Sequence, residues 1–194
     1  MSCQNSYQSQ WESFFKKYYW LFINGSPSKK KCKKELLELN IKKNGRILEL
    51  GCGTGYFLRW FQKKGYENLY GLDYVTVLLE KLKEKGIHVI NSSFEDYNAI
   101  PNEQFDLVFS DGVFEHYKDP EKILEKVSRL TKAYFITIVP RPTWWNKLQT
   151  LILRPPKEYH KNTEEWIAIH KGLGFQSVDF KILGLNCLMI ICKK

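Results

Sequence analysis

"RILELGCGTGYF", residues 46–57, places three glycines at alternate positions directly after a short apolar run. The run has the composition of a buried β-strand, and the residues after the last glycine have the apolar spacing of a helix. In an α/β sheet, the loop between the first strand and its helix is where a ligand binds. Glycines let the backbone of such a loop approach the ligand closely, and the helix N-terminus favours negative charge.

The rest of the chain repeats this order of strand and helix. Further strands are predicted at 68–73, 87–91, 105–110, 133–140, 176–183 and 186–194. Helices are predicted at 7–22, 29–39, 55–65, 74–86, 119–130 and 162–175, the last two capped by Asp119 and Asn162. The alternation predicts an α/β fold, doubly wound, with a mostly parallel seven-stranded sheet and helices on both faces. The closing hairpin adds an antiparallel C-terminal strand.

The charge of the chain is strongly positive, at +9 over 194 residues. We interpret it as a solvated basic surface, because no predicted strand or helix shows a basic stripe with interleaved aromatic residues. An anionic partner such as nucleic acid is the less favoured alternative. The dense run "KKKCKK" (29–34) is read in the same way, as a solvated helix face rather than a phosphate contact.

The cysteines and the termini indicate the compartment. Five cysteines without a C-x-x-C pair indicate neither a zinc site nor a disulfide framework, so reduced thiols are expected. The N-terminal stretch has no charged region followed by an apolar one, unlike a signal peptide. No apolar run reaches the ~18 residues that a membrane span needs. The expectation is a cytoplasmic protein without a membrane span.

The spacing of the glycines excludes two nucleotide-binding motifs. A P-loop needs a Lys followed by Ser or Thr, and none follows here. The dinucleotide fingerprint is G-x-G-x-x-G, whereas Gly51, Gly53 and Gly55 are one residue too close together. The motif is instead E-x-G-x-G-x-G, beginning at Glu49.

This motif resembles motif I of the class I S-adenosylmethionine (SAM) dependent methyltransferases, of the type 11/12 kind. The similarity runs from about residue 41 to 139 and more loosely to the end, and 105–124 resembles the family's fourth strand with the loop after it. The resemblance implies a Rossmann-like fold and SAM as the cofactor.

The resemblance also implies which residues bind that cofactor. Gly51, Gly53 and Gly55 would lie against its methionine part, and Glu49 would orient the polar end. Asp73 ends the second strand and would accept hydrogen bonds from the ribose hydroxyls. An alternative role for Asp73 is to cap the next helix.

Two further cofactor contacts follow from the resemblance. The family often has an Asp near the adenine amino group where this chain has Ser93, so adenine recognition would rest on Ser93, the backbone of Phe94, or Glu95. Asp111 belongs to the loop 110–117 that lies beside the methyl group in this fold class, and we include it among the cofactor-binding residues.

The same loop carries the candidate catalytic group. Methyl transfer needs water excluded, a nucleophile aligned and, for a hydroxyl acceptor, a proton removed. His116 is the candidate general base, with a buttress for the next helix as its alternative role. Glu115 is read as a helix-terminal charge. Related enzymes that bind a metal have E-x-x-E-H here, but Gly112 stands in place of the first Glu, so no metal is expected.

The acceptor pocket is expected from the parts unlike the family's common core. Those parts are the aromatic N-terminal helix and the stretch 140–161, where the family often inserts a lid. The favoured interpretation of that stretch is a helix that packs Trp145, Leu148 and Ile152 onto the body. The chain is read as a single domain: N-terminal helices over 1–44, a cofactor-binding core over 45–139, a candidate lid over 140–161, and a C-terminal helix and hairpin over 162–194.

The leading functional hypothesis is therefore methyl transfer from SAM to a small-molecule acceptor that is apolar or aromatic. One alternative is an RNA methyltransferase that uses the basic surface. The other is a non-catalytic SAM-binding partner subunit. The sequence assigns no oligomeric state.

Overall fold

The computed structural model of the protein describes residues 3–25, 27–93 and 104–194. Seven strands form one sheet: β1 (Arg46–Leu50), β2 (Asn68–Asp73), β3 (His88–Asn91), β4 (Phe105–Asp111), β5 (Thr131–Pro140), β6 (Ser177–Leu183) and β7 (Cys187–Lys193). Their order is β3-β2-β1-β4-β5-β7-β6, and β7 runs antiparallel to both of its neighbours while the other pairs are parallel. The predicted fold class is confirmed.

Helices cover both faces of this sheet. They are α1 (Cys3–Asn24), α2 (Pro27–Glu38), α3 (Tyr56–Lys63), α4 (Thr76–Lys83), α5 (Glu121–Ser128), α6 (Trp144–Leu153) and α7 (Thr163–Lys171). Side chains of α2, α3 and α4 join one buried apolar cluster, and those of α5 and α7 join the other. Alternate residues of each strand serve the two clusters, because successive side chains of a strand point to opposite faces.

The helix ends show which local signals were reliable. Asn162 caps α7 in a capping box with Glu165, as its position predicts. The predicted cap at Asp119 is wrong, because Pro120 occupies the cap position of α5 and no side chain bonds the first turn. A proline there fixes the backbone that starts the helix, so the carboxylate one residue earlier is not needed as a cap.

The strand order determines where a ligand can enter. The chain builds outward from β1 through β2 to β3, and then returns to the other side of β1 to place β4. The loops after β1 and β4 therefore leave in opposite directions, and a crevice opens between them at the carboxyl ends of the strands. The glycine turn and residues 111–117 both lie at this crevice.

Candidate functional site

The glycine turn after β1 is held against the end of β2. The backbone N–H groups of Gly51 and Cys52 both donate to the carbonyl of Leu72, at 2.8 and 3.0 Å. Gly53 has a φ of +47°, and a Cβ there would come within 3.2 Å of the Phe15 ring of α1. Glycine at this position thus meets two needs, a left-handed backbone and close approach of the N-terminal helix.

Asp73 connects the two strand ends. One carboxylate oxygen accepts the N–H of Gly53 at 2.8 Å, and the other accepts the N–H of Val75 at 3.0 Å. The bond two residues onward makes a local turn ahead of α4, so the alternative role of Asp73 as a helix cap is not observed. Burial raises the pKa of the Asp73 carboxyl, and the backbone N–H groups only partly oppose that shift.

A buried charged cluster faces this turn. The Glu49 side chain is nearly fully buried, and its Oε2 has no hydrogen-bond partner among the described residues. Burial raises the pKa of Glu49 well above its ordinary value, although the nearby Lys29 ammonium opposes this. Lys29 pairs with Asp111 across 2.6 Å. Burial acts to lower the pKa of Lys29, but Asp111 and Glu49 outweigh it and the net shift is upward.

The structure corrects the interpretation of the lysine run as a solvated face. Lys29 enters the crevice, and the Lys33 ammonium lies 4.0 Å from the centre of the Tyr56 ring. The signal was present in the sequence, because Lys29, Cys32 and Leu36 recur at helical spacing and the latter two are buried. Lysines of one run can therefore have different environments.

One cavity of about 340 Å³ joins these groups. That volume lies at the lower end of the range for small-molecule sites. Most of the predicted site residues line it: Glu49, Gly51, Gly53, Asp73, Asp111 and His116. Their binding and catalytic roles stay predictions.

Two other predicted site residues lie outside the lining of this cavity. Gly55 does not line the cavity, but is the N-cap residue of α3, where a Cβ would meet a methyl of Leu82 at 2.3 Å. Ser93 also lies outside the lining. Phe94 and Glu95 fall outside the described residues.

His116 lies in a 3₁₀ turn, Phe114–His116, and lines the cavity. Its Nδ1 is 3.0 Å from the carbonyl oxygen of Lys157, and its ring meets the Trp11 ring edge-on at 4.8 Å. A carbonyl only accepts, so Nδ1 carries the proton and Nε2 is the acceptor nitrogen of the neutral ring. Burial lowers the pKa of His116, although the backbone carbonyls and Glu158 oppose it. The ring is therefore neutral at physiological pH, and its partner lies after α6 rather than in the next helix.

Glu115 is buried, contrary to its interpretation as a helix-terminal charge. Its Oε2 has no hydrogen-bond partner among the described residues, and its backbone carbonyl accepts the N–H of Tyr159 at 2.6 Å. Burial raises the pKa of Glu115 well above its ordinary value, and Glu158 and Asp111 add to the shift. Sequence reasoning missed this residue because an acid beside a helix start is usually solvated.

Two helices supply the outer walls of the cavity. α1 contributes aromatic rings, Trp11, Phe14, Phe15 and Phe22. α6 contributes a more polar face, Asn146, Gln149, Thr150 and Leu153. The expectation that Trp145, Leu148 and Ile152 pack on the body is wrong, since all three are exposed. The spacing of apolar residues predicts that a helix has an apolar face, but it does not show that this face packs against the rest of the protein.

The described part of the chain holds no group of three His, Cys, Asp or Glu side chains that could bind a metal ion. Within the same ranges, none of the helices combines the length and the apolar character needed to cross a bilayer.

Comparison with known proteins gives a consistent result. Residues 48–135 match the family model described as a methyltransferase domain. The chain is 32% identical over 108 residues to malonyl-[acyl-carrier protein] O-methyltransferase of Calditerrivibrio nitroreducens, covering 53% of this chain and 42% of that protein. It is 28% identical over 149 residues to the chloroplastic 2-methyl-6-phytyl-1,4-hydroquinone methyltransferase 2 of Oryza sativa, covering 72% of this chain and 41% of that protein. The chain thus spans about two fifths of the length of each of these relatives.

The fold is shared with solved structures. A crystal structure of a SAM dependent methyltransferase from Archaeoglobus fulgidus superposes with a TM-score of 0.70 at 22% identity, covering 91% of this chain and 100% of that one. The match to the methyltransferase domain begins within β1 and runs into β5, so it includes the glycine turn, Asp73 and the loop after β4. Residues 48–135 thus match a methyltransferase domain, the chain has the fold of SAM-dependent methyltransferases, and both findings support SAM as the cofactor.

Proposed function

We propose that this chain transfers the methyl group of SAM to a small-molecule acceptor with an apolar or aromatic body. The observation that carries the proposal is the cavity described above, which joins the glycine turn and the acids beside it to an aromatic wall. SAM supplies a methyl group that its sulfonium already activates, so the protein has to bind, orient and exclude water.

The polar half of the cavity fits the cofactor. The Asp73 carboxylate lines the cavity, accepts backbone N–H groups from Gly53 and Val75, and would also accept the ribose hydroxyls. The methionine part of SAM carries an ammonium and a carboxylate, and the cavity offers groups of both signs in Glu49, Asp111 and Lys29. The unpartnered Oε2 of Glu49 is a buried acceptor that such an ammonium would satisfy.

The other half of the cavity fits an apolar or aromatic acceptor. Trp11, Phe14 and Phe15 contact one another, with ring centroids 5.6 to 5.9 Å apart. The close approach of Phe15 to Gly53 brings this aromatic group next to the cofactor loop. Rings packed in this way offer an apolar surface to an acceptor and displace water from it.

His116 is the proposed general base for a hydroxyl acceptor. It is neutral, its Nδ1–H is fixed by the Lys157 carbonyl, and Nε2 keeps a lone pair. One relative is by name an O-methyltransferase and the other acts on a hydroquinone, which supports a small-molecule acceptor. We further propose that the chain is a single domain and that 140–161 is its lid. We also propose a reducing compartment such as the cytoplasm, where the buried thiols Cys32, Cys52 and Cys192 stay reduced.

Calorimetric titration with SAM and with its demethylated product tests the cofactor site. Asp73→Ala is expected to weaken binding at least roughly tenfold, because two hydrogen bonds to ribose are lost. Asp119→Ala, an exposed carboxylate outside the cavity, is the matched control. Thermal melts of each variant establish that it is folded. Failure of the folded parent protein to bind SAM would overturn the proposal.

Transfer of label from methyl-labelled SAM into separated lipid, polar-metabolite and RNA extracts tests the reaction. Label in the lipid or polar-metabolite extract, lost in His116→Gln while SAM still binds, is the expected result. Label in RNA alone would favour the RNA alternative. SAM binding without any transfer would favour a non-catalytic partner subunit.

A further inference from the structure

α6 has its apolar face turned outward. Trp144, Leu151 and Ile152 are 70%, 69% and 64% exposed, and Trp145 and Leu148 beside them are also exposed. At 100° per residue these five side chains span an arc of about 120°. A surface helix of a globular protein ordinarily turns such an arc toward the core.

The opposite face of α6 belongs to the cavity. Asn146, Gln149, Thr150 and Leu153 line it. Asn146 is buried, and its amide donates to the carbonyls of Arg141 and Asn186, at 2.8 and 2.7 Å. These bonds fix the orientation of the helix, so the outward apolar face is a consequence of how α6 is anchored.

The charges around this face are positive. Residues 141–161 contain five basic residues and one acid, Glu158. Lys147, Arg154 and Lys157 are exposed, whereas the Glu158 side chain is largely buried and accepts the hydroxyl of Thr150 at 3.2 Å. The face thus combines an apolar centre with cationic flanks.

This combination matches one partner in particular. A helix that lies in the surface of a bilayer has Trp and Leu on one side and Lys or Arg at its margins. Indole rings favour the boundary between headgroups and acyl chains. Anionic headgroups attract Lys and Arg near the surface. At about 15 Å, α6 is long enough to lie along a bilayer surface but far too short to span it.

We propose that the outward face of α6 docks on an anionic lipid bilayer and that the acceptor enters the cavity from that surface, past the inward face of the same helix. The docking stands on the exposure and charge of α6. The entry of the acceptor rests on the proposed function and makes the acceptor an amphiphile.

Flotation with lipid vesicles tests the docking. The full chain is expected to float with vesicles of phosphatidylcholine and phosphatidylglycerol, and to do so less with phosphatidylcholine alone or at high salt. The triple variant Trp144→Ser/Leu151→Ser/Ile152→Ser is expected to lower the vesicle affinity at least roughly tenfold, because it removes most of the exposed apolar area. Phe180→Ser/Ile182→Ser removes exposed apolar side chains from β6 and is the matched control, expected to float like the parent.

Three results would overturn the docking. One is no flotation with the anionic vesicles, and another is equal flotation of the triple variant and the parent. The third is a dimer in light scattering that the triple variant dissociates, because a second copy would then cover the face. Titration of the same preparations with SAM separates the docking proposal from the proposed function. If the protein binds vesicles but not SAM, only the proposed function is contradicted. If it binds SAM but not vesicles, only the docking is contradicted.

Discussion

α6 and α7 are neighbours in the chain and nearly equal in length, yet they use their apolar residues in opposite ways. α7 buries Trp166 and His170 against the sheet, while α6 leaves Trp144 exposed. Each helix is capped by a polar side chain, Thr143 for α6 and Asn162 for α7. The comparison teaches that composition and caps make a helix, whereas its surroundings decide which face is buried. α7 covers the sheet, but α6 roofs a cavity whose lining includes polar side chains.

The two tryptophans give the largest contrast. Trp166→Ala is expected to lower the free energy of unfolding by about 3–5 kcal/mol, because a fully buried ring leaves a void against β5 and β7. Trp144→Ala is expected to change it by less than about 0.5 kcal/mol, since the ring is mostly solvated. Urea unfolding of both variants makes the measurement. A comparable loss in the two variants would mean that α6 packs on the body after all.

His170 sharpens the contrast through pH. Its Nδ1 lies 2.7 Å from the Trp166 carbonyl, its Nε2 is 2.9 Å from the Thr137 hydroxyl, and burial lowers its pKa to about 4. In the unfolded chain His170 binds a proton near pH 6.5, whereas in the folded protein it does so only near pH 4. The contribution of neutral His170 to the free energy of unfolding is therefore complete above pH 6.5 and is lost as the pH falls toward 4. The expected loss of unfolding free energy is about 3 kcal/mol.

The test is the difference between the parent and one variant across that pH window. His170→Gln removes this titration and is expected to flatten the pH dependence relative to the parent. Buried acids such as Glu49 shift stability in the opposite direction, but they are common to both proteins and cancel. If the unfolding free energy of His170→Gln depends on pH as steeply as that of the parent, His170 is not the group that causes the dependence.

The caps give the smallest effect. Asn162→Ala removes one half of a capping box and is expected to cost about 1 kcal/mol. Thr143→Ala loses a single longer bond, 3.3 Å to the N–H of Asn146, and is expected to cost about half as much. Thermal unfolding of the two variants, with Thr163→Ala in the first turn of α7 as control, measures the difference. Equal losses would show that the shorter bond of the Asn162 side chain, 2.8 Å to the N–H of Glu165, adds nothing over the longer bond of Thr143.

The sequence was sufficient for the fold because the relevant signals are local. The apolar run of β1 and the alternating glycines each depend on a few adjacent residues, Asp73 ends the next predicted strand, and the structure places them together at one end of the sheet. Helix bounds were less certain: the helix predicted at 55–65 is α3 from Tyr56 to Lys63, with Lys64 as its C-cap and Gly65, at a φ of +80°, ending it.

The site was predicted less completely because burial is not a local property. Lys29 and Glu115 became part of the cavity only when α2 and the loop after β4 met at the crevice. The sequence around Glu115 is that of a solvated charge, and the helical spacing of Lys29 with Cys32 and Leu36 indicates only that the three share one helix face. The outward turn of α6 was missed for the same reason, since its direction depends on the bonds of Asn146 to Arg141 and to the distant Asn186.

Asn146 has one more consequence. Its amide is shared between the segment that leaves β5 and the β6–β7 turn, some forty residues later in the chain. The cavity roof is therefore fastened to the C-terminal hairpin, which contributes few side chains to the cavity itself. Local unfolding of the β6–β7 turn would release one of the two hydrogen bonds that hold α6 over the cavity, so the stability of the hairpin affects how well α6 covers the cavity.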